Sequence, residues 1–316
     1  MSFKDIKGQE EPISRLKNAI KNNKVASSYI FAGLKGSGRF LLAANFAKAL
    51  NCASSENIPC DVCPSCRKID SGNHPDVRIV LPEAKGGEVT IQSIRGIVRD
   101  IVLKPYEGRY KVFIIKDAHL LNIEAANSFL KTLEEPPAYS VLILIAERPG
   151  DLLPTIVSRC QIIRIDPLRA CILADILVAE YGIERQKAAS LARMCEGRLG
   201  RFKEAGDAIL SNRDRVLKKF SEEEFVETLS RSSRGSLSDE LSVLAAWYRD
   251  ILVFKATKDT GLVINYDKIN DIKEQEMLYS RDRLLDVFNS VLKAKDEIEN
   301  NINPKIALSA MMAKGI

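Results

Sequence analysis

No run of apolar residues in the 316-residue chain approaches the roughly 20 that a bilayer-crossing helix needs. The opening residues, MSFKDIKGQEEPISRL, carry acids where a secretion signal would be apolar. From these absences a cytoplasmic protein without membrane partners is expected. The chain has no internal repeat and no low-complexity tract, which excludes repeat arrays and fibres. It also lacks a strong charge imbalance: 47 basic against 42 acidic residues leave a net charge of +5, compatible with nucleic acid without requiring it. No base-reading module is present.

What remains is an ordinary globular composition, 28% charged and 46% apolar, long enough for two or three compact units. From residue 29 to 165, YIFAG, VRIVLP, KVFIIK, VLILIA and QIIRI read as five strands separated by helical patterns. Several are apolar on both faces, which implies a parallel sheet covered on both sides by helices. Thr90 and Asn122 are placed to cap the helices IQSIRGIVRDIVL and IEAANSFLKTLEE, which prolines then stop. After residue 165 only helical periodicity is found, with the serine-rich stretch Ser230 to Ser238 read as a loop and Asn303 as the cap of the last helix.

Between the first strand and its helix lies GLKGSGRF, with glycines Gly33, Gly36 and Gly38 at the spacing of a phosphate-cradling loop. A working loop ends in a lysine that reaches the terminal phosphates and a hydroxyl residue that ligates magnesium. Here these places hold Arg39 and Phe40. The strand KVFIIK would end in two acids in an active enzyme, yet the pair is Lys116 and Asp117, and a lysine repels the cation that position should hold. Two parts of one mechanism are altered, so ATP hydrolysis is not expected. The glycines then either let the helix pack close to the strand or keep residual nucleotide binding.

Seven cysteines in a reducing compartment read as metal ligands or free thiols. Cys52, Cys60, Cys63 and Cys66, spaced C-x7-C-x2-C-x2-C, could surround one tetrahedral ion. Zinc is expected; an iron–sulfur cluster and free thiols are the alternatives, and the downstream Cys-Pro of the cluster pattern is missing. Four thiolates leave no open position for water, so the ion would be structural. His74, in GNHPD, and His119 read as hydrogen-bonded structural histidines, and Cys171 and Cys195 as core residues.

The segments LKTLEEPP (Leu130 to Pro137), LLPTIVSRC (Leu152 to Cys160), the cysteine cluster with GNHPD behind it, and NPKIAL resemble the delta-prime family of bacterial DNA polymerase III clamp-loader subunits, members of the AAA+ superfamily. The likeness spans nearly the whole chain. It implies a RecA-like sheet domain at 1–166 with a zinc insertion at about 52–66, a helical lid at 167–208 and a helical collar at 209–316. It implies partners as well: gamma or tau and delta subunits in a ring, a sliding clamp and primed DNA. Members commonly lack ATPase chemistry and complete a neighbour's site. In that family's SRC motif, matched by Ser158, Arg159 and Cys160, the arginine is a finger inserted toward ATP on the adjacent gamma or tau subunit.

A guanidinium there would stabilise charge spreading over the γ-phosphate and make hydrolysis depend on assembly. Ser158 is expected to support it and Cys160 to be a small buried residue. Arg201 resembles the lid arginine with which active relatives contact nucleotide; a structural ion pair is the other reading. Arg95 and Arg99, one turn apart on IQSIRGIVRDIVL, are candidates for phosphate contacts or for a solvated face. An active ATPase of gamma or tau type is the alternative function, opposed by Phe40 and Lys116. A zinc-containing DNA-binding protein on an inactive ATPase scaffold is a third.

Overall fold

The computed structural model describes residues 2–54, 58–83, 87–206, 208–220, 234–300 and 302–313. By its contacts the chain divides into two units, Met1–Leu168 with Arg198–Gly200, and Arg169–Gly197 with Arg201–Ile316. Among the described residues no helix is long and apolar enough to cross a membrane.

The first unit holds strands β1 (Ser28–Ala32), β2 (Val77–Val80), β3 (Lys111–Ile115), β4 (Ser140–Ala146) and β5 (Gln161–Arg164). They form one sheet in the order β2-β3-β4-β1-β5, with every pairing parallel. This is the covered parallel sheet expected from the apolar runs. Side-chain alternation sends Tyr29 and Phe31 of β1 into one core, where they meet Leu42 and Phe46, and Ile30 into the other, with Ile94, Ile97 and Phe129. The helices of this unit are α1 (Glu10–Lys21), α2 (Arg39–Asn51), α3 (Pro64–Asp70), α4 (Ile91–Ile101), α5 (Ile123–Glu134) and the single turn α6 (Pro154–Val157).

The caps are where the sequence puts them. Asn122 Oδ1 accepts from Ala125 N at 2.9 Å, and Thr90 Oγ1 from Ser93 N at 3.5 Å. Helix α4 ends at Ile101, two residues before the apolar pattern does, and leaves Val102 and Leu103 exposed.

The second unit is helical: α7 (Ala170–Tyr181), α8 (Arg185–Met194), the part of the short α9 (Leu199–Ala205) from Arg201 on, α10 (Ala208–Phe220), then the helices Arg234–Thr257, Ile269–Leu278, Arg281–Glu299 and Pro304–Met312. Leu241, Leu244, Trp247, Ile251, Val291 and Leu308 form its core. Asn303 Oδ1 accepts from Lys305 N at 2.9 Å, capping the last helix as expected.

Two expectations are corrected here. Of the presumed serine-rich loop, residues 230–233 lie outside the described residues, and 234–238 already belong to a helix because Leu237 is fully buried in the core. Cys171 is exposed rather than core: it lies in the first turn of α7, before the buried stripe begins at Leu173.

Candidate functional site

The loop after β1 brings its glycines to the C-terminal edge of the sheet, where parallel α/β sheets bind their ligands. Gly36 and Gly38 take φ of 87° and 95°, the left-handed region that glycine enters without strain, and Gly38 caps α2. Gly33 is glycine for a different reason. A Cβ there would lie 2.2 Å from the Ile165 carbonyl oxygen, at the end of β5.

Lys116, at the end of β3, holds its ammonium 4.7 Å from the centroid of the Phe40 ring, a cation–π contact between the two altered positions. Arg39 is only 6% exposed, with Nη2 4.0 Å from Glu147 Oε1 at the end of β4. Burial lowers its pKa from the ordinary arginine value, with Glu147 and then Asp117 opposing the shift. Asp117 follows Lys116 with a left-handed backbone, φ 50°. Arg39, Phe40, Lys116 and Asp117 are thus gathered at one end of the sheet.

Arg159 follows α6. Its Nη1 donates to the Thr155 carbonyl at 2.8 Å and to Ser158 Oγ at 3.3 Å, and its Nη2 to Glu134 Oε1 at 2.6 Å. The side chain stays 34% exposed. Ser158 therefore does contact the guanidinium, and Cys160 is half-buried with its thiol pushed up to about 12 by burial. Glu134 is the residue that sequence reasoning passed over, although it stands inside the LKTLEEPP segment.

The four cysteines come together as their spacing predicts: the sulfurs of Cys52, Cys60, Cys63 and Cys66 all lie within 4.8 Å of one another. A tetrahedral ion with Zn–S bonds of about 2.3 Å would draw sulfurs to about 3.8 Å apart, so a small closure completes the site. Backbone N–H groups of Cys60, Cys63 and Cys66 point at the sulfurs of Cys52, Cys60 and Cys63, each at 3.4 Å. These donors favour thiolates. The N–H groups of Cys63 and Val62 draw the Cys60 thiol down to about 6, while burial raises Cys52 and Cys66. The donor set can hold a metal ion.

The cluster is tied to the sheet by charge. Lys48 of α2, 1% exposed, forms ion pairs with Asp61, between the cysteines, and with Asp70 at 3.0 Å. GNHPD extends the same scaffold. His74 Nδ1 accepts from Asp76 N at 3.1 Å, which leaves Nε2 to donate to Ser65 Oγ at 3.1 Å. Asp76 accepts from the backbone N–H of Tyr106, Glu107 and Gly108 at 2.7, 2.8 and 2.8 Å. His74 is the buried, hydrogen-bonded histidine expected, whereas His119 is exposed.

Arg95 and Arg99 lie on the solvent side of α4, where Arg99 is 81% exposed and 3.6 Å from Asp100. In the second unit Arg201 pairs with Glu196 at 3.0 Å. Residues 8–169 match the family model described as "DNA polymerase III, delta subunit", and residues 209–314 the model described as its C-terminal part.

DNA polymerase III subunit delta' of Bacillus subtilis is 27% identical over 96% of this chain and 95% of its own. Tau of the same organism is 39% identical over 50% of this chain, and tau/gamma of Haemophilus influenzae 38% over the same share; only 28% and 23% of those longer chains are matched. The crystal structure of a gamma subunit-related protein from Thermotoga maritima covers 94% of this chain and 97% of its own, at 17% identity and a TM-score of 0.44. With models matching both the sheet unit and the C-terminal helices, and one relative aligned from end to end, the chain belongs to the DNA polymerase III delta-subunit family.

Proposed function

We propose that this chain is the delta-prime-type subunit of a clamp loader, which hydrolyses no ATP itself and supplies Arg159 to the ATP site of a neighbouring gamma/tau subunit. The observation that carries this reading is the contact of Lys116 with Phe40. Phosphoryl transfer in a site of this type needs a divalent ion held between a loop hydroxyl and a strand carboxylate. An ammonium and a phenyl ring in those places can hold neither the ion nor its water. The damaged loop therefore keeps its glycines for shape, and the chemistry moves to the partner.

Arg159 suits the task by placement. Its guanidinium is exposed beyond the sheet and supported by Ser158 and Thr155, and N–H donors remain for an external acceptor. In trans it would stabilise the charge that develops on γ-phosphate oxygens as the bond to ADP breaks. Arg95 and Arg99 are offered to phosphates of primed DNA, and zinc in the cysteine cluster would give a rigid knuckle with no open position. Residues 209–316 serve as the collar that joins gamma/tau and delta, with 167–208 as the lid, in which Arg201 braces Glu196. The assembly acts on the sliding clamp in the cytoplasm.

The test is single-turnover phosphate release from a reconstituted loader in which only the ATP site facing this chain is active. Arg159→Ala is expected to slow release by a factor on the order of 10³. Unchanged release would overturn the assignment.

A further inference from the structure

The finger reading leaves one charged contact unexplained. Glu134, in the last turn of α5, lies 25 residues before Arg159, with Oε1 2.6 Å from Nη2. Both side chains are partly exposed, Glu134 by 50% and Arg159 by 34%. At such exposure an ion pair adds little to stability, so the contact is poorly explained as a fold determinant.

We propose that Glu134 is a positioning residue for Arg159, holding the guanidinium at the orientation in which it meets the neighbour's γ-phosphate; this rests on the finger reading above. The geometry is that of a three-sided support. Nη1 is bound by the Thr155 carbonyl and Ser158 Oγ, Nη2 by Glu134. The first two partners belong to the same turn as Arg159, whereas Glu134, from α5, ties the guanidinium to a second element of the sheet domain.

The support is rigid in its turn. Helix α5 is anchored by buried Ala125, Ala126, Phe129 and Leu133, and Pro136 and Pro137 stop the chain directly after Glu134 and Glu135. An arginine left to swing would have to be ordered at the moment of reaction, whereas one already held is not. The ion pair is weak enough in water for the guanidinium to engage phosphate without first overcoming a large barrier.

The contact also accounts for a motif that the phosphate-loop argument does not use. LKTLEEPP supplies apolar residues that bury the helix, an acid at the exposed end, and prolines that fix where the acid stands.

The experiment is a double-mutant cycle in the reconstituted loader with one active ATP site facing this chain. Glu134→Ala is expected to lower kcat and kcat/KM together, three- to tenfold, with KM unchanged. Glu134→Gln, which keeps an oxygen acceptor, should restore most of the loss. On the Arg159→Ala background Glu134→Ala should change nothing further, because its effect passes through the guanidinium. Loss of activity in Arg159→Ala with normal activity in Glu134→Ala would overturn the positioning role and leave the finger standing. A Glu134→Ala effect that adds to that of Arg159→Ala would do the same. Full activity in Arg159→Ala would overturn both. Circular dichroism melting of Glu134→Ala should match the parent; a lowered Tm with a kcat loss that Glu134→Gln fails to restore counts against the proposal.

Discussion

Lys116 and Phe40 hold each other: the ammonium of one lies 4.7 Å from the ring centroid of the other. The two positions are 76 residues apart in the chain and belong to separate motifs, the strand end and the phosphate loop. Together they form one contact between a cation and an aromatic ring. Such contacts contribute about 0.5–2 kcal/mol according to exposure.

This contact predicts that ATP binding to the isolated chain does not respond to magnesium. Calorimetric titrations of ATP with and without the ion should coincide, and no phosphate should be released. Replacing the set together, Arg39→Lys, Phe40→Thr and Lys116→Asp, should create magnesium-dependent binding. Magnesium-dependent heat from the parent chain would contradict the structural reading of the loop.

The cysteine cluster predicts one zinc ion per chain by elemental analysis. Cys52→Ser or Cys66→Ser should abolish it, since both ligands are buried and cannot be replaced by solvent. A chelator should release the ion and expose a thiol that reacts at mildly acidic pH, because the N–H groups of Cys63 and Val62 draw the Cys60 thiol down to about 6. Iron, or an absence of metal after purification without chelators, would refute the assignment.

Acid should weaken the sheet unit through His74 and Asp76. Burial lowers the His74 pKa, with Glu107 and Asp76 opposing; burial alone would raise Asp76, but the N–H groups of Tyr106, Glu107 and Gly108 hold it below the ordinary range. Both groups bind fewer protons folded than unfolded, so stability rises with pH. Loss should begin as pH falls below the ordinary imidazole value of about 6.5, and deepen below the carboxylate value of about 3.9. Denaturant melts of the parent and of His74→Gln, at equal metal content, should converge as pH falls from 7 toward 5. Parallel curves would show that His74 does not titrate.

In the helical unit Arg213 is 1% exposed and grips Asp267 with two bonds of 2.7 Å, while Asp267 also accepts from Ser190 at 2.6 Å. Arg213→Ala strands a carboxylate away from water and is expected to cost about 3–5 kcal/mol of stability. The double variant Arg213→Met with Asp267→Leu should recover much of that loss. A cost below about 1 kcal/mol for the single change would mean that water reaches Asp267 freely.

Reading the chain as a string recovers most of the elements. The strands announce themselves because a sheet covered on both faces needs apolar side chains on both, and the caps because an asparagine or threonine before an apolar stripe can satisfy an orphan N–H. The helix start at Arg234 escapes notice for the opposite reason: its serines and glycine are loop formers, and only the burial of Leu237 in a core assembled from distant helices overrides them. Cys171 misleads in the same way, since periodicity says which face is apolar but not at which turn burial begins.

The sequence by itself determined the parallel sheet, the grouping of four cysteines at metal-ligand spacing, and the presence of Phe40 and Lys116 beside a glycine-rich loop, because each depends on residue type at short spacing. Tertiary structure decided how separated residues are paired. Lys116 with Phe40, Glu134 with Arg159, Lys48 with Asp61 and Asp70, and Arg213 with Asp267 are contacts across 13 to 76 positions of chain. No local period encodes such distances; they exist because packing of the sheet and helices brings side chains within reach, where charge and hydrogen bonding select the partner.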